Sequence, residues 1–134
     1  MNKLLLRTID LARALQPEKT TGRSFHVATI YDGPRLLSIG YNNYNHEHLR
    51  HKYGEYRPTR DSTAKYIAGR HAEIEAANRL KTFRKNLTMC VVRIDRNGEI
   101  ALSKPCENCL TSTRKMNFKK ILYSISEKEH GVIY

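Results

Sequence analysis

Apolar residues in the first fifteen positions recur at near-helical spacing. Leu4, Leu5, Ile9, Leu11, Ala12 and Leu15 carry the pattern, Pro17 and Gly22 follow as stop signals, and the segment predicts an amphipathic helix. The pattern then changes character. Phe25–Tyr31 is rich in β-branched and aromatic residues, Asp32-Gly33-Pro34 makes a turn, and Arg35–Gly40 continues apolar, which predicts a hairpin. From Tyr41 to Lys65 there is no clean period, and an aperiodic stretch of that length inside a compact domain is usually functional. Arg70–Leu80 reads as a helix with His71 and Glu73 in its opening turn, Leu87–Ile94 as a buried strand, and Arg96-Asn97-Gly98 as the next turn. Cys106–Met116 reads as a helix and Lys120–Ile125 as a further strand. This alternation of helices and strands predicts an α/β fold of three α/β/α layers around a mixed sheet of about five strands. No repeat, linker or low-complexity stretch divides residues 1–134, and that length suits one domain with its own core.

Composition narrows the setting. Arg7, Asp10 and Arg13 interrupt the leucine-rich start too soon for a secretory leader or a membrane span, so no membrane partner is expected. The cysteines are Cys90, Cys106 and Cys109, an odd number of which two form a CxxC, and this favours a reducing, cytoplasmic setting over a disulfide framework. Cys90 lies in the apolar strand and reads as a small buried side chain. A net charge of +11 attracts polyanions, so phosphate-bearing partners are expected, although the basic residues are spread along the chain.

Two short motifs carry the candidate chemistry. His71-Ala72-Glu73 is followed, after 31 intervening residues, by Pro105-Cys106-Glu107-Asn108-Cys109. A catalytic zinc needs three protein ligands and one open position, and His71, Cys106 and Cys109 supply such a set through an imidazole nitrogen and two thiolates. Cys106 and Cys109 at positions i and i+3 of a first helical turn would point their sulfurs the same way, with the positive helix end favouring the thiolates. Alone, a CxxC also serves structural zinc or redox chemistry. Together, H-x-E and P-C-x-x-C form the signature of zinc nucleobase deaminases, in which the Glu is not a ligand.

On these motifs the chain resembles the cytidine/deoxycytidylate deaminase superfamily, and the similarity runs from the hairpin through the last strand. The resemblance implies hydrolytic deamination of a cytosine base by zinc-activated water, with one catalytic Zn2+ and Glu73 as the proton shuttle. Gly40-Tyr41-Asn42 is similar to the G-x-N that ends the second strand in deoxycytidylate and transfer-RNA adenosine deaminases, which implies that Asn42 contacts the nucleoside sugar or base. The chain departs from the deoxycytidylate pattern at Glu75, where Asn is common. The resemblance also implies a homo-oligomer.

The aperiodic loop adds candidates of its own. Tyr41, Tyr44, Tyr53, Tyr56 and Tyr66 are interleaved with Arg50, Lys52, Arg57 and Arg60, a mixture that can stack on bases and hold phosphate. Tyr44, Arg57 and Arg60 are the substrate candidates there. His46, His48 and His51 could hold a second ion, but the loop has no cysteine, and the default reading is a solvated or phosphate-facing cluster. The leading expectation is conversion of dCMP to dUMP. A deaminase of cytosine in single-stranded DNA or of a tRNA base is the first alternative, motivated by the charge; a non-catalytic zinc-stabilised binding module is the second.

Overall fold

The computed structural model describes residues 1–16, 24–42, 72–80, 86–105, 110, 116 and 118–134. Its elements in chain order are α1 (Lys3–Leu15), β1 (Phe25–Asp32), β2 (Arg35–Tyr41), α2 (Ala72–Asn78), β3 (Thr88–Ile94), β4 (Ile100–Ala101), β5 (Lys120–Ser124) and β6 (His130–Ile133). The six strands form one mixed sheet ordered β2-β1-β3-β5-β6, with β4 paired to β3. The sequence reading anticipated about five strands. It located four of the six; the two it did not locate are β4, which is only two residues long, and β6, which lies on the sheet edge.

Local chemistry explains where the elements begin and turn. Asn2 caps α1, its side chain accepting from Leu4 N at 2.7 Å. Gly33 has φ +58° at the tip of the β1–β2 hairpin, where Asp32 pairs with Arg35; few residues other than glycine take that backbone without cost. Beyond β3, the Asp95 carboxylate accepts from Asn97 N at 2.9 Å and Glu99 N at 3.0 Å, closing the turn into β4.

Strand alternation divides the core into two layers. On one face α1 buries Leu5, Ile9 and Ala12 against Phe25, Val27, Tyr31, Cys90, Val92, Ile94 and Leu122. On the other, Ala72 and Ala76 of α2 pack with Ala28, Ile30, Leu87, Met89, Val91, Leu110 and Ile121. Helices therefore cover both faces, as the three-layer reading requires. Under α1 a polar strip interrupts the first layer: Thr8 Oγ1 lies 2.8 Å from Thr29 Oγ1 and 3.3 Å from Tyr31 OH. Cys90, the register partner of Thr29, is fully buried beside it.

One edge of this sheet gathers several strand ends. Phe25 pairs with Ile94 and Val27 with Tyr41, so the start of β1 lies beside the ends of β2 and β3. Strand β5 runs parallel to β3, the only parallel pair among the described strands, and ends on the same side at Ser124. In open α/β sheets ligands bind outside the carboxyl ends of the parallel strands.

Candidate active site

Helix α2 brings Glu73 to that edge. Ala72 and Ala76 meet Gly40 of β2, the Ser38 hydroxyl donates to Ala76 O at 2.6 Å, and Arg79 Nη1 donates to Ile39 O at 3.4 Å. The helix thus runs antiparallel to β2 and starts where β2 ends. Close approach is possible because both surfaces are small. A Cβ on Gly40 would lie against Ala76 N, 2.5 Å from Ala72 O and 2.8 Å from Ala76 Cα, all backbone atoms. Glycine here serves contact between helix and strand backbones.

Glu73 and Glu75 both lie in the first turn of α2 and both are buried, each 5% exposed. A helix N-terminus favours negative charge, which offsets part of the cost of burying a carboxylate. Glu75 also has a cationic partner: Arg79 Nη2 lies 3.1 Å from Glu75 Oε1, and the Arg79 guanidinium extends over the Tyr41 ring at 5.8 Å. The residue that departs from the deoxycytidylate pattern is therefore part of the contact between α2 and the sheet edge.

Asn42 is committed to β1. Its Oδ1 accepts from His26 N at 3.0 Å and its Nδ2 donates to Ser24 O at 3.1 Å, extending the hairpin ladder beyond Tyr41. The other candidates, His71, Cys106, Cys109, Tyr44, Arg57 and Arg60, lie outside the described residues, as do His46, His48 and His51. Among the described residues no three His, Cys, Asp or Glu side chains gather as a metal site. The described neighbours of two of the three ligand candidates nevertheless belong together. Ala72 follows His71 in sequence, Leu110 follows Cys109, and both occupy the same buried cluster.

The approach to the cysteines is pinned by a pair of serines. Ser103 Oγ donates to Val91 O at 2.7 Å and accepts from Ser124 N at 2.8 Å, while Ser103 N donates to Ser124 O at 2.9 Å. Ser124 Oγ returns a bond to Ala101 O at 2.7 Å. These contacts fasten the chain to the middle of β3 and the end of β5 just before the buried Pro105. Arg93 adds a further tie, with Nε donating to Ser24 Oγ at 3.0 Å and Nη1 to Leu102 O at 3.4 Å.

Neither the serines nor His26 and Arg93 stood out in the sequence. Their significance comes from the neighbours that strand order gives them, and no local period encodes that order. Cys90 is the one described cysteine. Burial pushes its thiol up from 9.0 to about 11, against the opposing effect of hydrogen bonds from Thr8 and Thr29. It is an unreactive packing group and takes no part at the edge.

Among solved structures, the chain is similar to the apo dCMP deaminase of cyanophage S-TIM5, with a TM-score of 0.55 and 14% sequence identity over 96% of this chain and 88% of that one. No family model and no curated protein matches the sequence. At this identity the likeness is one of fold. The chain has the α/β architecture of that deaminase, with a mixed six-stranded sheet. Among the described residues no helix is long and apolar enough to cross a membrane.

Proposed function

We propose that the chain is a single-domain, zinc-dependent cytosine deaminase whose substrate is dCMP and whose product is dUMP. The observation that carries this reading is Glu73, buried in the first turn of α2 at the edge where the parallel strands end, in a fold shared with a dCMP deaminase. His71, Cys106 and Cys109 would hold the ion. The donor set fits: one imidazole and two thiolates leave a coordination position open, and the residues following His71 and Cys109 share one buried cluster. When bound, zinc lowers the pKa of a coordinated water to about 7 and so makes a nucleophile available at neutral pH.

The remaining chemistry belongs to the chain. Glu73 takes a proton from the water that attacks C4 and delivers it to N3; it then takes the second proton, from the new C4 hydroxyl, and passes it to the exocyclic nitrogen as the C4–N bond breaks, leaving a C4 carbonyl and ammonia. Its burial suits the role, because a carboxylate screened from bulk water exchanges protons with substrate in preference to solvent. Asn42, Tyr44, Arg57 and Arg60 are the proposed substrate-side residues, and a reducing cytoplasm would keep the cysteines as ligands.

The test is to incubate zinc-loaded protein with dCMP, cytidine, single-stranded DNA and tRNA, following ammonia and a 1 Da gain in base mass. Glu73→Gln is expected to retain zinc and lower turnover by about 10²–10⁴-fold. Unchanged turnover in that variant would remove the shuttle. The charge of +11 supports a second reading, deamination within a polynucleotide. A single-strand substrate would show log affinity falling with log salt by about 0.7 per phosphate contact, whereas one monophosphate gives a shallow slope.

A further inference from the structure

The turn that joins β3 to β4 holds the one Asn-Gly pair in the sequence, Asn97-Gly98, and the zinc motifs make no use of it. In this dipeptide a side-chain amide lies beside a backbone nitrogen that no Cβ shields, and Asn is among the thermolabile residues. A Cβ at Gly98 would meet nothing within 4 Å, and both residues are exposed. Among the described residues Asn97 is bound through its backbone nitrogen, while its side-chain amide has no partner.

The turn is closed from within. Gly98 N donates to Asp95 O at 2.9 Å and Asp95 N to Glu99 O at 2.9 Å, while the Asp95 carboxylate accepts from Asn97 N and Glu99 N. Gly98 has φ +83°, which matches the three-residue loop in which a type I turn is followed by one left-handed residue. Asn97 is then the third residue of the turn, where ψ is about 0°. That torsion aims Gly98 N at Asp95 O and away from the Asn97 side chain. For the nitrogen to reach Asn97 Cγ, ψ must rotate and the bond to Asp95 O must break.

We infer that Asn97 is a site of spontaneous deamidation, and that the Asp95 carboxylate sets its rate by holding the turn closed. Gly98 N loses its proton to water and bonds to Asn97 Cγ. The Cγ–Nδ2 bond then breaks, and the side-chain nitrogen takes up a proton and leaves as ammonia. Water opens the five-membered imide at either carbonyl, giving aspartate at position 97 or an isoaspartate whose backbone runs through the side chain. Water is the one co-reactant, and no group is oxidised or reduced.

Both products have consequences for the hairpin. Each lowers the net charge of +11 by one and sets a new carboxylate between Asp95 and Glu99. The isoaspartate also adds a backbone carbon inside the loop that the Asp95 carboxylate spans, which loosens the pairing of Arg93 with Ala101 and of Ile94 with Ile100. The inference stands apart from the deaminase reading, since this reaction needs neither zinc nor nucleotide and releases its ammonia once per chain.

The test is to hold the folded full chain in mildly alkaline buffer without zinc or nucleotide, and to follow a one-dalton gain by peptide mapping with isoaspartate detection. Wild-type protein is expected to gain the mass in the peptide that contains Asn97. Asp95→Ala should raise the rate about tenfold, the shift in turn opening expected from losing its two hydrogen bonds. Asp95→Asn keeps an acceptor oxygen and should fall between the two, which preserves the test should Asp95→Ala misfold. Asn97→Gln should silence the site, because its longer side chain would need a six-membered ring. The urea-unfolded chain gives the rate with the turn fully open.

An unchanged Asn97 in folded wild type, over a period in which the unfolded chain converts, overturns the site. Conversion confined to other asparagines does the same. Equal rates in wild type and in both Asp95 variants, each shown to melt cooperatively, overturn the part given to Asp95.

Discussion

Gly40→Ala tests whether the contact between α2 and β2 positions the site. The added Cβ would sit 2.5 Å from Ala72 O, and ordinary contact begins near 3.4 Å, so the helix must move away by at least 0.9 Å. No side-chain rotation can absorb the shift, because every close atom belongs to the backbone of α2. Overpacking of this kind costs about 1–3 kcal/mol, and losing the bond from Ser38 to Ala76 O adds about 1 kcal/mol. A loss of about 2–4 kcal/mol lowers Tm by roughly 8–15 °C in a chain of this size. Glu73 follows Ala72 directly and moves with it, and if Glu73 is the proton shuttle proposed above, a displacement near 1 Å costs on the order of 100-fold in rate. The assay pairs thermal denaturation with turnover of dCMP at a temperature where the variant remains folded. Gly33→Ala is the control: it strains a positive φ at an open hairpin tip, for about 1–2 kcal/mol, far from α2. If Gly40→Ala matched wild type in both Tm and turnover, the backbone contact would not be what sets the helix.

Two other substitutions probe the same layers by different routes. Ser103→Ala strands the buried Val91 carbonyl and the Ser124 amide, so it should cost about 2–4 kcal/mol in denaturant titration and weaken zinc retention against a chelator; wild-type values in both would mean that the serine pair does not govern the approach to the cysteines. Cys90 should make stability fall at high pH. The thiol ionises above 9.0 in the unfolded chain but only near 11 when folded, so the native state binds the extra proton between those values. Stability is then complete below pH 9 and declines by up to about 2–3 kcal/mol toward pH 11. A Cys90→Ala variant with the same slope over that range would refute this assignment.

What the sequence made legible was local. The near-helical spacing from Leu4 to Leu15, the Asp-Gly-Pro turn and the Val-rich run before Ile94 are each set by neighbours in sequence, and each appears within one or two residues of its expected limits. Strands β4 and β6 escaped for physical reasons. Ile100–Ala101 is too short to show alternation, and His130–Ile133 contains a glycine whose place in the sheet depends on Tyr123, the cross-strand partner whose ring covers it. No amount of periodicity analysis within the segment could supply that partner.

The same distinction runs through the site. His-Ala-Glu and Pro-Cys-x-x-Cys stand out in the sequence because ligand chemistry is tied to residue type and spacing, although His71, Cys106 and Cys109 lie outside the described residues; the residues that flank them are ordinary. Gly40-Tyr41-Asn42 shows how a single motif divides. In sequence it reads as a ligand contact at the end of a strand. In the fold Gly40 admits the backbone of α2, Tyr41 lies beneath the Arg79 guanidinium, and Asn42 holds the start of β1. Gly40 and Asn42 lie on one face of the strand and Tyr41 on the other, because side chains alternate. The motif therefore joins the helix that bears Glu73 to the strand that bears His26.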